Sequence, residues 1–208
     1  EGIPDGFEFQ ALPEDWDQFE IFMNTGLERF PALANAEIRQ LFVGPESFTP
    51  DNRYILGEAP ALRKLYVAAG FNSIGIQSAG GAGKALAEWI VEDEPTMDLA
   101  ELDIRRFHRA ERNRAYLFDR TKESLGLLYA MHWPYFQPTT GRGARRSPIH
   151  DRLDAAGACF GVTMGWERPM WFANKDQKQE YTYAWGRTPW FDNWAREHMA
   201  TREGVALF

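Results

Sequence analysis

The run from Leu65 to Lys84 constrains this chain more than any other part of it. Leu65-Tyr66-Val67-Ala68-Ala69 reads as a short apolar strand, and a turn punctuated by Gly70, Gly75, Gly80, Gly81 and Gly83 then hands over to a helix carrying Ala85, Leu86, Trp89 and Ile90. Glycine lets the backbone take positive φ and approach another group closely. A helix N-terminus adds unpaired N–H groups and a partial positive charge. Such a turn suits an anion or an electron-rich ring edge, and equally a tight connection that binds nothing; spacing leaves both open. It is not a phosphate loop of the familiar kinds. Ser78 stands where a P-loop needs its first glycine, and Ala85 follows Lys84 where it needs Ser or Thr. The Gly-x-Gly-x-x-Gly dinucleotide fingerprint is missing throughout, so other residues must hold the phosphates of any nucleotide.

The chain has 208 residues, room for one large domain or two small ones. Eight Trp and fifteen Phe demand a core or a partner surface for their rings. A net charge of −7 argues against broad binding of nucleic acid, although Arg142, Arg145 and Arg146 cluster; beside prolines they read as pairing partners or turn caps. The single Cys159, between Ala158 and Phe160, excludes an internal disulfide and reads as an inert buried thiol. His108, His132, His150 and His198 are scattered without metal-ligand spacing, and no serine sits in a nucleophile elbow. No apolar run approaches the roughly 20 residues of a membrane span.

Along the chain, Phe7 to Leu12 reads as a strand. Trp16, Phe19, Met23, Leu27 and Phe30 repeat at helical spacing, with Pro31 as the stop. Ile38 to Val43 and Tyr54 to Gly57 read as strands, separated by a kinked, extended turn at Gly44-Pro45-Glu46-Ser47-Phe48-Thr49-Pro50-Asp51. The glycine-rich turn leads to a helix that stops near Glu94-Pro95. Arg112 to Leu128 reads as a solvated helix, Ile149 to Ala156 as a short one, and Trp190 to Met199 as a third between strands at Tyr181 to Arg187 and Thr201 to Phe208. Both ends read as cut from a longer polypeptide.

Three sets of residues coincide with one family. They are Gly44 to Asp51; Ala69-Gly70-Phe71-Asn72-Ser73 through Lys84; and the combination of Asp103-Ile104-Arg105-Arg106-Phe107, Arg145-Arg146-Ser147-Pro148 and Gly165-Trp166-Glu167-Arg168-Pro169-Met170-Trp171-Phe172. In this order they resemble the dimethylglycine dehydrogenase and sarcosine dehydrogenase family of flavin enzymes, over essentially the whole chain. The resemblance implies an α+β fragment: residues 1–60 end a substrate-binding domain, 61–95 are the returning strand and helix of an FAD-binding domain, 102–172 form a central linking domain, and 181–208 open an aminomethyltransferase-type domain. It places Asn72, Ser73, Ile74, Gly75, Ile76 and Gln77 against the isoalloxazine ring of FAD through backbone N–H groups. Glu46, Ser47 and Thr49 fall near the ring, with a structural turn as their expected role, and no catalytic residue is assigned.

The activity implied for the parent protein is oxidation of a small N-methyl amine such as dimethylglycine or sarcosine, with the one-carbon unit passing to tetrahydrofolate in a downstream domain. The fragment alone is expected to be inactive. No metal, nucleic acid or membrane is implied, and an electron-acceptor protein is compatible with the chemistry. The expected compartment is the cytoplasm, or the mitochondrial matrix in a eukaryote. The alternative reading is a non-catalytic relative that serves as a protein-binding regulatory subunit.

Overall fold

The computed structural model describes residues 3–131 and 136–205. The architecture is α+β, with five α-helices and two separate two-stranded antiparallel sheets among the described residues. It divides into two compact units, one ending at Glu46 and the other starting at Ser47.

The first unit is built on α1 (Trp16–Arg29). Asp15 caps it by accepting from the Gln18 N–H at 2.9 Å, Asp17 complements the dipole, and Phe30-Pro31 ends it. Phe19, Met23 and Leu27, three of the residues whose spacing predicts the helix, are half-buried. The strands expected at 7–12 and 38–43 do not form; a lone antiparallel bridge between Leu12 and Val43 stands in their place. Phe9 has φ of +49°, which breaks the first run.

The second unit has two cores. In the first, β1 (Ile55–Glu58) pairs with β2 (Tyr66–Ala69), and α2 (Gly75–Glu92) lies across them. Leu56, Ala82, Ala85, Trp89 and Leu99 are buried together. Gly57 is required where the sheet meets α2: at φ +126°, a Cβ there would fall 2.6 Å from Cζ3 of Trp89. Asp93, at φ +62°, terminates α2 in the left-handed conformation. The helix begins earlier than its glycines suggest. Gly75, Gly80, Gly81 and Gly83 are helical, not a turn, because burial of Ala82, Ala85 and Trp89 on the opposite face outweighs roughly 1 kcal/mol of lost propensity per glycine.

The second core follows α3 (Arg114–Leu127) and α4 (His150–Ala155). The hairpin of β3 (Ala158–Thr163) and β4 (Trp166–Phe172) turns on Met164 and Gly165, both at positive φ, the geometry of a two-residue hairpin loop. Cys159, Trp171 and Trp190 are buried together, the two indoles stacked at 5.8 Å, and α5 (Phe191–Glu203) covers them. Burial pushes the Cys159 thiol up to about 11, so it stays protonated. Two arginines of the cluster are spent structurally: Arg142 forks onto the buried Glu167 at 2.9 and 2.6 Å, and Arg145 lies over the Trp166 ring. The strand expected at 181–187 is irregular chain. The one expected at 201–208 is replaced at Thr201–Glu203 by the end of α5, while 206–208, like His132, lie outside the described residues.

Candidate functional site

Asn72 organises the entry to α2. It is 1% exposed and ties two distant segments together. Its backbone N–H donates to the Ser47 carbonyl at 3.1 Å, and its Oδ1 accepts from the Thr49 N–H at 2.8 Å. Its Nδ2 donates to the Gly70 carbonyl at 2.7 Å and to Thr49 Oγ1 at 3.1 Å, while the Thr49 hydroxyl donates to the Arg53 carbonyl at 3.0 Å. Thr49 is itself buried. Gly70 must be glycine here, since at φ +65° a Cβ would meet the Thr49 methyl at 2.6 Å. Phe71 stacks on Tyr54 with centroids 4.8 Å apart.

The clamp fixes the direction in which α2 starts. Asn72 and Ser73 both take positive φ, +50° and +64°, at a cost of about 1–3 kcal/mol each. Asn tolerates that conformation better than most side chains. Ile74 is the N-cap and, being apolar, supplies no side-chain hydrogen bond; no acidic residue lies in the first turn. The leading N–H groups of an α-helix have no intrahelical partner, so those of Gly75, Ile76 and Gln77 form an uncapped, partly positive end. Ile76 and Gln77 are exposed, Ile76 wholly so. Beyond them Gly80, Gly81 and Gly83 have nothing within 4 Å of where a Cβ would stand, leaving the helix backbone open to close approach.

The six residues assigned from the sequence are therefore contiguous at one helix entry, but they do different things. Asn72 spends its side chain on the clamp and acts by positioning. Ser73 is exposed, Ile74 spends its N–H on the Phe71 carbonyl at 3.0 Å, and Gly75, Ile76 and Gln77 present backbone donors. Thr49 is a structural partner, as the turn reading expects. The Asn72–Thr49 pairing escapes sequence reasoning because 23 residues separate the two. The available signal was an asparagine just ahead of a helix, the residue type suited to a left-handed position.

Three family profiles match the chain in succession. Residues 2–89 match an FAD dependent oxidoreductase domain, 92–147 the FAD dependent oxidoreductase central domain, and 149–208 the GCVT N-terminal domain. The chain belongs to the sarcosine and dimethylglycine dehydrogenase family of FAD-dependent oxidoreductases. Among relatives in this family, it is 47% identical to the 4-methylaminobutanoate oxidase (formaldehyde-forming) of Paenarthrobacter nicotinovorans, over 96% of this chain and 24% of that protein. It is 41% identical to the mitochondrial pyruvate dehydrogenase phosphatase regulatory subunit of Mus musculus, over 96% of this chain and 23% of that protein. With the mitochondrial sarcosine dehydrogenase of Mus musculus the identity is 39%, over 88% and 20%. The chain thus spans about a quarter of the length of the curated relatives it matches.

What the site offers an FAD of this family can be tested on its own atoms. An uncapped helix end suits the polar, acceptor-bearing edge of an isoalloxazine ring, and the bare glycines remove the steric bar to a flat ring. The site fits the ring. The sequence carries no dinucleotide fingerprint for the pyrophosphate. Among the described residues no helix is long and apolar enough to cross a membrane, and no cluster of three or more metal-ligating side chains occurs.

Proposed function

We propose that this chain is part of an FAD-dependent oxidoreductase acting on small N-methylated amino acids, and that the segment Asn72 to Gln77 faces the flavin ring, Asn72 positioning it and the backbone N–H groups of Gly75, Ile76 and Gln77 serving as the donors. The observation that carries the reading is the uncapped N-terminus of α2, held in place by the Asn72–Thr49 clamp. Bound FAD would supply the two-electron acceptor for amine oxidation. The residues here would donate backbone hydrogen bonds to the ring's acceptor edge, and the partial positive charge of the helix end would favour electron density arriving there. Gly70 and the clamp hold those donors in place, so they would meet a bound ring already oriented.

Support for the substrate class comes from relatives named for 4-methylaminobutanoate, sarcosine and dimethylglycine. The match to a GCVT N-terminal domain from residue 149 favours transfer of the one-carbon unit to tetrahydrofolate. In this reading, residues 1–60 and 61–95 belong to the substrate and flavin regions, 102–172 link them onward and overlap the start of the GCVT match at residue 149, and 181–208 lead into the folate-handling part.

The 41% match to a phosphatase regulatory subunit specifically favours a second, non-catalytic reading. One experiment separates the two. The full-length protein is purified, loaded with FAD and mixed anaerobically with sarcosine, dimethylglycine or 4-methylaminobutanoate. Bleaching of the flavin band by at least one of these supports the oxidoreductase. A bound flavin that none of them reduces, or no bound flavin, supports the regulatory reading.

A further inference from the structure

A cavity of about 440 Å³ lies between the turn at Pro50–Arg53, α3 and the tip of the β3–β4 hairpin. That volume falls in the range of small-molecule sites, roughly 300–1,000 Å³. Its wall contains a guanidinium short of hydrogen-bond partners among the described residues. Arg120 projects from α3 with its side chain only 5% exposed, and it makes no hydrogen bond among the described residues. Its nearest carboxylate, Glu123, is 4.0 Å away, and the Tyr116 ring lies 5.7 Å off.

Glu123 is not available to complete the pair. Its two oxygens already accept from the backbone N–H and the hydroxyl of both Thr139 and Thr140. Arg120 therefore retains five donors, and its Nε is buried without an acceptor. A buried guanidinium in that condition is costly, so the arrangement calls for an oxyanion.

The same wall carries an unused acceptor. Asn52 donates its amide N–H to the Ser124 carbonyl at 2.8 Å, which fixes the orientation of the side chain and leaves Oδ1 buried and unpaired. Ser124 is one helical turn beyond Arg120 and itself donates to the Pro50 carbonyl at 2.9 Å, so the turn and helix are rigidly joined. Glu111, buried against the cavity, adds a negative charge whose contacts are the Tyr116 hydroxyl and the His108 N–H. The other charges on the wall are matched: Arg53 with Glu101, and Arg106 with Asp51. A cation that makes no hydrogen bond among the described residues, 4.0 Å from Glu123, thus shares the wall with a lone amide oxygen and a second carboxylate, Glu111. A dianion such as phosphate would meet repulsion there, whereas a carboxylate joined to a cationic or N–H-bearing group would satisfy both ends.

We propose that this cavity is a binding site for a small zwitterionic, amino-acid-like ligand, its carboxylate on Arg120 and its amine toward Asn52 Oδ1 and Glu111. The site is separate from the flavin-facing turn and stands without it. Glycine, acetate and inorganic phosphate are the probes, titrated into the full-length protein by ligand-observed NMR. Glycine binds with a dissociation constant of about 1 mM or tighter, acetate binds more weakly, and phosphate is not preferred over glycine. Arg120→Met weakens glycine by about ten-fold or more, the loss of charge-assisted hydrogen bonds. Because Arg120 is buried, a second variant leaves it in place: Thr163→Trp, at the exposed hairpin rim, obstructs the cavity and weakens glycine comparably. Absence of saturable glycine binding, glycine binding that survives both substitutions, or tighter binding of phosphate overturns the proposal.

Discussion

Replacing Asn72 by alanine tests the clamp that aims α2. The substitution removes the acceptor for the Thr49 N–H and the donor to the Gly70 carbonyl, both buried. Leaving each without a partner costs about 1–3 kcal/mol. Alanine must also hold φ near +50°, about 1–2 kcal/mol worse than a residue at ease in that conformation. Together the expected loss is about 3–8 kcal/mol, a large share of the stability of any single domain. Asn72→Gly loses the same hydrogen bonds but not the φ strain; after allowing for glycine's greater unfolded-state freedom it should be about 1 kcal/mol less damaging than alanine. The measurement is hydrogen exchange of the α2 amides, which reports the local opening free energy without requiring the whole protein to unfold in one step. A loss below about 1 kcal/mol for alanine, or an alanine variant as stable as the glycine one, would refute the reasoning.

Further outcomes follow from the same geometry. Gly57→Ala should cost about 1–3 kcal/mol or more by thermal or chemical denaturation, because its Cβ meets the Trp89 ring and φ is +126°; Trp89→Ala, which vacates that ring, should reduce the penalty of adding the methyl in a double-mutant cycle. Burial raises the Glu123 carboxyl, but the hydrogen bonds from Thr139 and Thr140 outweigh it and hold it at about 2. Its folded value is below the ordinary 4.5, so its contribution is complete above about 4.5 and lost as pH falls toward 2; Glu123→Gln should flatten the acid limb of stability in that window. Cys159, with its thiol pushed up to about 11, should resist iodoacetamide in the native protein at pH 8 and react on unfolding. The 208-residue chain alone should not bind FAD tightly, since ring contacts without a pyrophosphate site must meet the whole cost of immobilising the ligand; a stoichiometric yellow complex would contradict this.

Much of the fold was legible wherever one local signal sufficed. The spacing of Trp16, Phe19, Met23 and Leu27, ended by Pro31, gave α1 nearly to the residue, and the run from Tyr54 to Gly57 gave β1, displaced by one residue from Ile55–Glu58. Reading failed where tertiary packing overrode local preference. Gly75, Gly80, Gly81 and Gly83 look like a turn, yet Trp89 and its neighbours make them helix. The runs at 7–12 and 38–43 look like strands, but they form only one bridge. The strand-to-helix connection that carries the candidate site was legible because strand, glycines and helix lie consecutively. Its rigidity was not, because Asn72 meets Thr49 across 23 residues, and Arg142 meets Glu167 across 25.

The most direct test of the central claim is hydrogen–deuterium exchange of the full-length protein with and without FAD, read at residues 73–77. Backbone N–H groups that bond to the flavin should exchange markedly more slowly in the FAD-bound protein, with the amides of Gly75, Ile76 and Gln77 showing the largest change. If FAD binds and those amides exchange at an unchanged rate, the entry to α2 does not face the flavin.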